Sequence, residues 1–366
     1  MVSTLFSPIE IRSVTVPNRI TVSPMCQYSA VDGVPGDWHF VHLGQFAQSG
    51  PGLIFVEATG VEPDGRITLG CTGLYDDACE AGHARNVAFI KSVGEARVGI
   101  QLGHAGRKGS TVAPWEGGGQ IEGAGAWVTD CASAVPYLPG WPEPRAMDEA
   151  ALSRVKTAFV DAARRAERAG FDLVELHMAH GYLLHQFLSP ITNRREDAYG
   201  GSSTARMRYP LEIFQAVRAV FPAEKPVMVR LSATDWIDGA WDLEQSIAFC
   251  HTLKEMGCDM IDVTSGGLDQ RQKITAGPGY QVGFAQAIRD AVGIPTMAVG
   301  QITEPIQAET ILATGQADMV ALARGMLWDP RWAWRAALAL GEEIPLPAPY
   351  ARCNPALRGK PFVTRR

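Results

Sequence analysis

Residues 171–182 read FDLVELHMAHGY, and this stretch gives the strongest indication of how the chain folds. A glycine before it, Gly170, is typical of a helix end. The apolar run from Leu173 to Leu176 then predicts a buried strand. Where the strand gives way to a loop, three side chains can donate hydrogen bonds or a proton to a substrate oxygen: His177, His180 and Tyr182. The stretch therefore predicts a binding and proton-transfer site at the carboxyl end of a strand.

The composition is that of an ordinary globular protein. The chain has 366 residues, of which 46% are hydrophobic and 20% are charged. This length suggests up to about two domains, although α/β barrels of this size form one. The formal net charge of −6 predicts that neither nucleic acid nor an anionic membrane is a partner. No apolar run approaches the roughly 20 residues that a membrane helix needs.

The cysteine pattern predicts a cytoplasmic location. Seven cysteines are scattered along the chain without a C-x-x-C pair, which favours neither a disulfide framework nor a zinc cage. The first residues lack the basic and apolar regions of a signal peptide. The pair His177 and His180 lacks a third ligand and the H-E-x-x-H spacing, so we predict no metal site.

Eight short apolar segments alternate with helical ones. The predicted strands are 20–25, 53–57, 98–102, 173–176, 227–231, 260–264, 295–299 and 319–322. This alternation predicts an α/β protein with a parallel sheet, and eight units predict a closed (β/α)8 TIM barrel. An open doubly wound sheet is the alternative, but no G-x-G-x-x-G follows the first strand. A Gly-, Pro- and Trp-rich excursion at 111–147 follows strand three, and its length is typical of a lid or pocket wall.

Polar residues lie at or just past the ends of six different predicted strands: Cys26, Gln101, His177, Arg230, Ser265 and Arg324. In a barrel of this kind those ends form the active-site face. Taken singly, Cys26 could be a small buried hydrophobe, and Arg230 could form a structural ion pair with Glu57 or Glu175. Their convergence on one face favours a functional site.

The last two strand ends predict a phosphate site. Gly300 follows strand seven and Arg324 follows strand eight, where such barrels often hold a phosphate. Gln101 offers a donor and an acceptor, as the pyrimidine edge of a flavin requires. Arg230 could stabilise negative charge on a reduced flavin ring. Spacing alone does not choose between a flavin and a phosphosugar.

Longer motifs match one known family. They include SPMCQY at 23–28, VEAT at 56–59, GIQLGHAGRK at 99–108, HMAHGYL at 177–183, DAYGGS at 197–202 and VRLS at 229–232. With matches that run from residue 5 to residue 352, the chain resembles the Old Yellow Enzyme family of flavin-dependent ene-reductases. Within that family it is most similar to the bacterial branch that includes xenobiotic reductases and carries a cysteine after the first strand.

The resemblance implies non-covalently bound FMN at the barrel mouth and NAD(P)H, usually NADPH, as electron donor. The substrate would be an α,β-unsaturated carbonyl or a related activated alkene or nitro compound, with hydride delivered to the β-carbon. The positions that match the family's cofactor site are Ser23, Pro24, Met25, Cys26, Ala58, Gln101, His177, Arg230, Gly300, Ala323 and Arg324.

The resemblance also implies roles for the other matching residues. His177 and His180 would hold the carbonyl oxygen, and Tyr182 would protonate the α-carbon. Cys26 would tune the flavin potential and contact the substrate, and Tyr28 would shape the pocket. Arg352 matches an arginine that enters a neighbouring subunit's site, which predicts a homodimer or homotetramer. We expect one FMN-binding barrel domain over residues 1–352 and a tail over residues 353–366.

Two other classes of protein remain possible at this stage. A flavin-free phosphosugar-binding barrel lyase would use Gly300 and Arg324, but it needs a metal or a Schiff-base lysine, and only Lys108 lies at a predicted strand end. A non-catalytic flavin redox sensor would use Cys26 as its switch and would not need the cluster at residues 177–182.

Overall fold

The computed structural model of the chain describes residues 3–343 and 346–355. It begins with a short antiparallel hairpin of β1 (Ile9–Ile11) and β2 (Val14–Val16). The buried hairpin side chains Ile11 and Val16 share an apolar cluster with Leu53 and Leu173, each the first residue of a longer strand. The hairpin therefore closes the amino-terminal end of the barrel.

Ten further strands follow along the chain. They are β3 (Ile20–Val22), β4 (Leu53–Gly60), β5 (Arg97–Gly103), β6 (Asp130–Cys131), β7 (Arg145–Ala146), β8 (Leu173–Met178), β9 (Val227–Ser232), β10 (Ile261–Thr264), β11 (Thr296–Ala298) and β12 (Met319–Leu322). All except β6 and β7 form one closed barrel in the order β3-β4-β5-β8-β9-β10-β11-β12, and neighbouring strands are parallel. The predicted (β/α)8 barrel is confirmed.

Helices fill the connections between the barrel strands. They are α1 (Asp37–Ala47), α2 (Asp77–Val93), α3 (Glu149–Arg168), α4 (Leu183–Leu188), α5 (Ser203–Val220), α6 (Leu243–Glu255), α7 (Val282–Val292), α8 (Pro305–Ala313), α9 (Arg324–Trp328) and α10 (Trp332–Leu340). No helix in residues 3–343 or 346–355 is long and apolar enough to cross a membrane.

Helix α3 delivers the chain into the strand that carries the candidate site. The Asp148 side chain accepts a hydrogen bond from the Ala151 N–H at 2.8 Å and so caps the helix. Val155 and Phe159, spaced one turn apart, are fully buried against the barrel. Gly170 ends the helix region with a φ of +89°, a conformation that glycine adopts without a Cβ clash.

The excursion between β5 and α3 is held against the barrel mouth. Arg107 donates to the carbonyl oxygens of Val135 and Pro136 at 3.2 and 2.8 Å. The exposed Trp115 ring packs edge-on against Tyr28, with centroids 5.7 Å apart. The excursion thus provides one wall of the pocket over the strand ends. Of the predicted tail 353–366, residues 356–366 lie outside the described part of the chain.

Candidate active site

Parallel register brings the polar residues of four neighbouring strands, and Ala58 of a fifth, side by side within the barrel. The cross-strand neighbours are Ala58 with Gln101, Gln101 with Glu175, His177 with Arg230, and Arg230 with Asp262. Apart from Ala58, all of these side chains are buried. The register places the predicted residues Gln101, His177 and Arg230 on three neighbouring strands, with Gln101 level with Glu175, two residues before His177, so that a single ligand can contact all three.

Buried carboxylates orient two of these side chains. The Gln101 amide donates to Glu175 Oε1 at 2.7 Å, which leaves the Gln101 carbonyl oxygen as an acceptor. Arg230 Nε lies 3.1 Å from Asp262 Oδ2, so the carboxylate paired with Arg230 is Asp262 and neither of the two considered from the sequence, Glu57 and Glu175. Burial and the neighbouring Asp262 raise the pKa of Glu175 above its ordinary value. Glu175 therefore orients Gln101, and Asp262 orients Arg230.

His180 adopts a left-handed backbone conformation, with a φ of +58°. Such a conformation in a residue other than glycine costs of order 1–3 kcal/mol and persists only where neighbours enforce it. Here the His180 N–H donates to Ser232 Oγ at 3.0 Å, and its carbonyl oxygen accepts from Lys108 Nζ at 2.8 Å. These two hydrogen bonds fix the backbone conformation that directs the His180 ring toward the pocket.

The loop after β10 packs so closely against this turn that glycine is required on both sides of the contact, at Gly267 and Gly181. Lys108 Nζ also donates to the Gly267 carbonyl oxygen at 2.9 Å. A Cβ on Gly267 would lie 2.6 Å from His180 Cα, and a Cβ on Gly181 would lie 2.5 Å from the Gly267 oxygen. Lys108 therefore links the backbone at His180 to the backbone at Gly267, which meet without room for side chains. Lys108 is a positioning residue, whereas from the sequence it was considered only as the nucleophile of a phosphosugar lyase.

The three predicted catalytic side chains form one cluster. The ring centroid of His177 lies 5.2 Å from that of His180 and 4.9 Å from that of Tyr182. Desolvation and the nearby Arg230 lower the pKa of both histidines well below the ordinary value. Desolvation also raises the pKa of Tyr182 well above its ordinary value. At neutral pH the cluster consists of two neutral imidazoles and a protonated phenol.

The Thr264 hydroxyl fixes the His180 ring. Thr264 Oγ1 lies 3.0 Å from His180 Nε2 and donates its single proton to Gln281 Oε1 at 3.3 Å. The hydroxyl oxygen therefore accepts a proton from His180 Nε2. Gln281 is held in turn by the Ser265 hydroxyl at 2.6 Å and by the Val299 carbonyl oxygen at 3.0 Å. The sequence interpretation missed Thr264 and Gln281, although Ser265 was noted at this strand end.

The predicted phosphate residues share one cleft. Gly300, Ala323 and Arg324 line an opening of about 700 Å³ beside α9, and Arg324 is exposed. Gly300 has a φ of +125°, and a Cβ there would lie 2.8 Å from the Gln281 amide nitrogen. The cleft has the size of a site for a cofactor or small ligand, and its cation and backbone N–H groups suit an anion.

Several buried polar atoms at the mouth have no hydrogen-bond partner among the described residues. They include Ser23 Oγ, His177 Nδ1 and Arg230 Nε, whose contact with Asp262 is an ion pair without hydrogen-bond alignment. Buried polar groups are nearly always hydrogen-bonded, so these atoms are available to a ligand. They combine a hydroxyl, an imidazole and a guanidinium next to the Gln101 carbonyl oxygen. This mixed set of donors and acceptors fits the pyrimidine edge of FMN, and the cleft at Arg324 fits its phosphate.

The remaining predicted site residues divide into two groups. Cys26 is partly exposed, its thiol interacts with the Cys71 thiol, and Pro24 and Met25 are partly buried beside it. Arg352 is exposed in a short 3-10 helix, Ala348–Cys353, and does not line the cleft of Gly300 and Arg324. Its predicted role at a neighbouring subunit stays a prediction.

Comparison with known sequences assigns the family. A sequence profile of the NADH:flavin oxidoreductase / NADH oxidase family matches residues 4–343. The chain belongs to this family. The NADPH dehydrogenase of Geobacillus thermodenitrificans (strain NG80-2) is 42% identical over 358 residues, which are 96% of this chain and 99% of that protein. The predicted Old Yellow Enzyme family membership is thereby confirmed.

Solved structures agree with this assignment. Morphinone reductase superimposes with a TM-score of 0.77 at 29% identity, over 93% of this chain and 91% of its own. A 2-naphthoyl-CoA reductase superimposes with a TM-score of 0.83 at 24% identity, and this likeness concerns the fold alone. The chain spans about half the length, 52%, of that enzyme. The protein is an FMN-dependent oxidoreductase that uses NAD(P)H, as the sequence predicted.

Proposed function

We propose that this oxidoreductase is an ene-reductase, which saturates the C=C bond of α,β-unsaturated carbonyls and of related activated alkenes or nitro compounds. The cluster of His177, His180 and Tyr182 carries this proposal. Two neutral imidazoles can hold a carbonyl oxygen, and a protonated phenol stands 4.9 Å from one of them, ring to ring. A hydride-transfer enzyme for alkenes needs both an oxygen clamp and a proton donor.

The residues proposed to hold FMN are those that match the family's cofactor site and lie at the barrel mouth. Gln101 and Arg230 would contact the pyrimidine edge, and Gly300, Ala323 and Arg324 would bind the phosphate. The segment Ser23–Cys26 and Ala58 would lie along the ring. When bound, FMN supplies the redox chemistry, accepting a hydride from NAD(P)H and delivering one to the alkene β-carbon.

The histidines activate the alkene. Hydrogen bonds from neutral imidazole N–H groups to the carbonyl oxygen withdraw electron density and make the β-carbon more electrophilic. His180 Nε2 already donates to Thr264, so a carbonyl oxygen competes with that hydroxyl for the same proton. Because both imidazoles stay neutral, the clamp strengthens as negative charge develops on the oxygen without moving a proton to it.

Tyr182 completes the reaction by protonating the α-carbon. Its phenol stays protonated at neutral pH, and the Lys108 ammonium lies 5.0 Å from its ring centroid. A nearby cation stabilises the negative charge that grows on the phenol oxygen as the proton leaves. Lys108 thus supports both the backbone of His180 and the electrostatics of Tyr182.

The two rival functions have less support. A lyase of phosphosugars would need Lys108 as a free nucleophile, but its ammonium donates to the carbonyl oxygens of His180 and Gly267. A non-catalytic sensor would not require the histidine–tyrosine cluster. We further propose a cytoplasmic homodimer or homotetramer in which Arg352 reaches the neighbouring site, and sedimentation of wild type against Arg352→Ala would test its part in assembly.

A visible absorption spectrum tests the proposed function. We expect the flavin band of the purified protein to bleach on anaerobic addition of NADPH and to return when 2-cyclohexenone is added. Bleaching without return would leave an FMN-dependent oxidoreductase but would contradict ene-reduction. Return with saturated cyclohexanone as the product, identified by gas chromatography, would support it.

Arg324→Ala is expected to weaken FMN binding by about 10- to 100-fold, because a charge-assisted hydrogen bond contributes roughly 1.5–3 kcal/mol. Titration of the deflavinated protein with FMN, followed by fluorescence quenching, measures the affinity. Arg335→Ala is the matched control, since Arg335 lines the same cleft but forms ion pairs with Asp329 and Glu304. Equal affinity in wild type and Arg324→Ala would remove Arg324 from the phosphate site.

A further inference from the structure

A second cysteine lies against the predicted cofactor segment. The loop 66–73 follows β4 and packs directly on residues 26–30, where the Ala30 N–H donates to the Gly70 carbonyl oxygen at 2.8 Å. A Cβ on Gly70 would lie 2.4 Å from the Tyr28 carbonyl oxygen. This close packing brings the Cys71 thiol to the Cys26 thiol, and both thiols are free.

The surroundings of Cys71 favour its thiolate. The Thr68 N–H lies 3.4 Å from Cys71 Sγ, and Thr68 Oγ1 lies 3.5 Å from it. Because Thr68 Oγ1 accepts from the Gly70 N–H at 3.1 Å, its own proton is free to point at the sulfur. These contacts and the Cys26 thiol lower the pKa of Cys71, while the same interaction raises the pKa of Cys26. The two thiols therefore ionise as a coupled pair, in which Cys71 gives up its proton more readily than Cys26.

The pair lies next to the active site and is open to small molecules on one side. Cys71 is 1% exposed and lines a small cavity together with Ala58, His177 and Tyr182. Cys26 is partly exposed in the mouth. Redox-sensitive cysteines combine a lowered pKa, access and a neighbouring thiol; in this pair Cys71 has the lowered pKa and Cys26 has the access.

We propose that Cys26 and Cys71 form a reversible disulfide when the protein meets a hydroperoxide. The Cys71 thiolate attacks the distal oxygen and breaks the O–O bond, which gives a sulfenic acid and an alkoxide, or hydroxide when the oxidant is hydrogen peroxide. This anion takes up from solvent the proton that Cys71 had released and leaves as the alcohol or as water. The Cys26 sulfur then attacks the sulfenic sulfur, and the leaving hydroxide takes the Cys26 proton as water. Two thiols are oxidised by two electrons in total, and one peroxide is reduced.

Oxidation would change the site in two ways. The disulfide removes the Cys26 S–H from the face where the cofactor segment Ser23–Cys26 lies. It also ties the loop 66–73 covalently to that segment, beside Tyr28. The inference stands apart from ene-reduction, since it depends on thiol chemistry and not on the identity of the alkene.

A second neighbouring pair of cysteines provides an internal comparison. Cys250 and Cys258 lie close enough to affect each other electrostatically, and both are buried. Desolvation raises the pKa of each, and the Cys258 thiol donates to the Met260 carbonyl oxygen at 3.5 Å. At Cys258 this desolvation outweighs the backbone hydrogen bonds from Asp259 and Met260, which act to lower the pKa. We expect this pair to stay reduced under conditions that oxidise Cys26 and Cys71.

Peptide mapping of the FMN-loaded protein tests the proposal. The Cys353→Ser background removes an exposed thiol that could link two chains. After treatment with stoichiometric hydrogen peroxide, we expect a loss of 2 Da in the intact mass before alkylation, and a cross-linked peptide containing Cys26 and Cys71 after alkylation and digestion. Dithiothreitol should restore both thiols. Thr68→Val, which keeps both cysteines, should slow cross-linking severalfold because it removes the hydroxyl donor to Cys71.

Other results would overturn the inference. Oxidation of Cys26 to the sulfinic acid without a cross-link would show that Cys71 does not reach it. Equal oxidation of the pair Cys250 and Cys258 would show that unfolding, and not the native arrangement, governs the reaction. Mapping of the wild-type cysteines decides between these outcomes even if a Cys71→Ser chain fails to fold.

Discussion

Tyr182→Phe is expected to slow the reoxidation of the reduced enzyme by 2-cyclohexenone by about 10²- to 10⁴-fold, the usual contribution of a positioned general acid. Reduction by NADPH should proceed at the wild-type rate, because that step needs no proton at the alkene α-carbon. Anaerobic stopped-flow absorbance separates the two half-reactions. Phenylalanine keeps the ring packing against His177 and the contact with Lys108 and removes only the hydroxyl.

The control for this variant is Tyr137→Phe. The Tyr137 ring also lies 5.0 Å from Lys108 Nζ, but Tyr137 belongs to the excursion. Both half-reactions should keep the wild-type rate in Tyr137→Phe. An equal loss in both half-reactions of Tyr182→Phe would contradict the proton-donor role and would indicate a defect in the pocket as a whole.

The raised pKa of Tyr182 gives the same hypothesis a pH dependence. Only the protonated phenol can donate, and it is lost as the pH rises through the pKa of Tyr182. Desolvation moves that pKa well above the ordinary value of about 10. The rate of reoxidation by 2-cyclohexenone should therefore not fall through Tyr182 ionisation between about pH 7 and pH 10. A fall near pH 8 would report loss of the Lys108 ammonium, because burial lowers the pKa of Lys108 to about 8.

Replacement of His177 and His180 together by alanine is expected to weaken the binding of 4-hydroxybenzaldehyde by at least about 100-fold. The phenolate oxygen of this probe resembles the enolate oxygen of the reaction, and hydrogen bonds to a charged oxygen contribute roughly 1.5–3 kcal/mol each. The long-wavelength absorbance change on titration of the FMN-loaded protein gives the dissociation constant. The rate of reoxidation by 2-cyclohexenone should fall by about 10²- to 10³-fold, as when an oxyanion donor is removed.

A conservative variant separates hydrogen bonding from packing. His180→Asn retains an N–H donor on a smaller side chain and should recover part of the affinity lost in His180→Ala. The FMN-binding affinity of the alanine variants shows whether the barrel mouth keeps its native structure after the substitutions. Unchanged affinity of the double variant for 4-hydroxybenzaldehyde would refute the clamp.

The barrel could be predicted because periodicity and strand length are local properties of the sequence. The run Leu173 to Leu176 and its counterparts stand out as buried strands, and β–α alternation then requires a parallel sheet. The hairpin of β1 and β2 was missed because each strand has only three residues. Its role depends on packing beneath the barrel, and no local pattern reports that packing.

The site residues were predictable where they follow a strand end, and less so where partners come from distant strands. Gln101, His177 and Arg230 fall at such ends, and their register in the sheet brings them together. Asp262, the ion-pair partner of Arg230, was not considered from the sequence because it lies on a strand 32 residues away. The available signal was Asp262 itself, an acidic residue within the apolar run 260–264. Glu175 interrupts the apolar run 173–176 in the same way.

Positioning residues were the hardest to predict. Lys108 was noticed only as a possible nucleophile, yet the structure uses it to bind two backbone carbonyl groups. Cys71 lies 45 residues from Cys26 in sequence and reaches it only through the packing of loop 66–73. Neither the role of Lys108 nor the contact of Cys71 can be predicted from periodicity or composition, because both depend on which loops pack together above the strand ends.

Transfer of a deuterium label tests the central claim most directly. The FMN-loaded enzyme would reduce 2-cyclohexenone with NADPH that carries deuterium at both C4 positions, in ordinary water, and the product would be examined by NMR. We predict cyclohexanone with deuterium at the former β-carbon and a solvent-derived proton at the former α-carbon. Deuterium at the carbonyl carbon of an alcohol product, or a product without deuterium, would contradict hydride delivery to the β-carbon of an alkene held by His177 and His180.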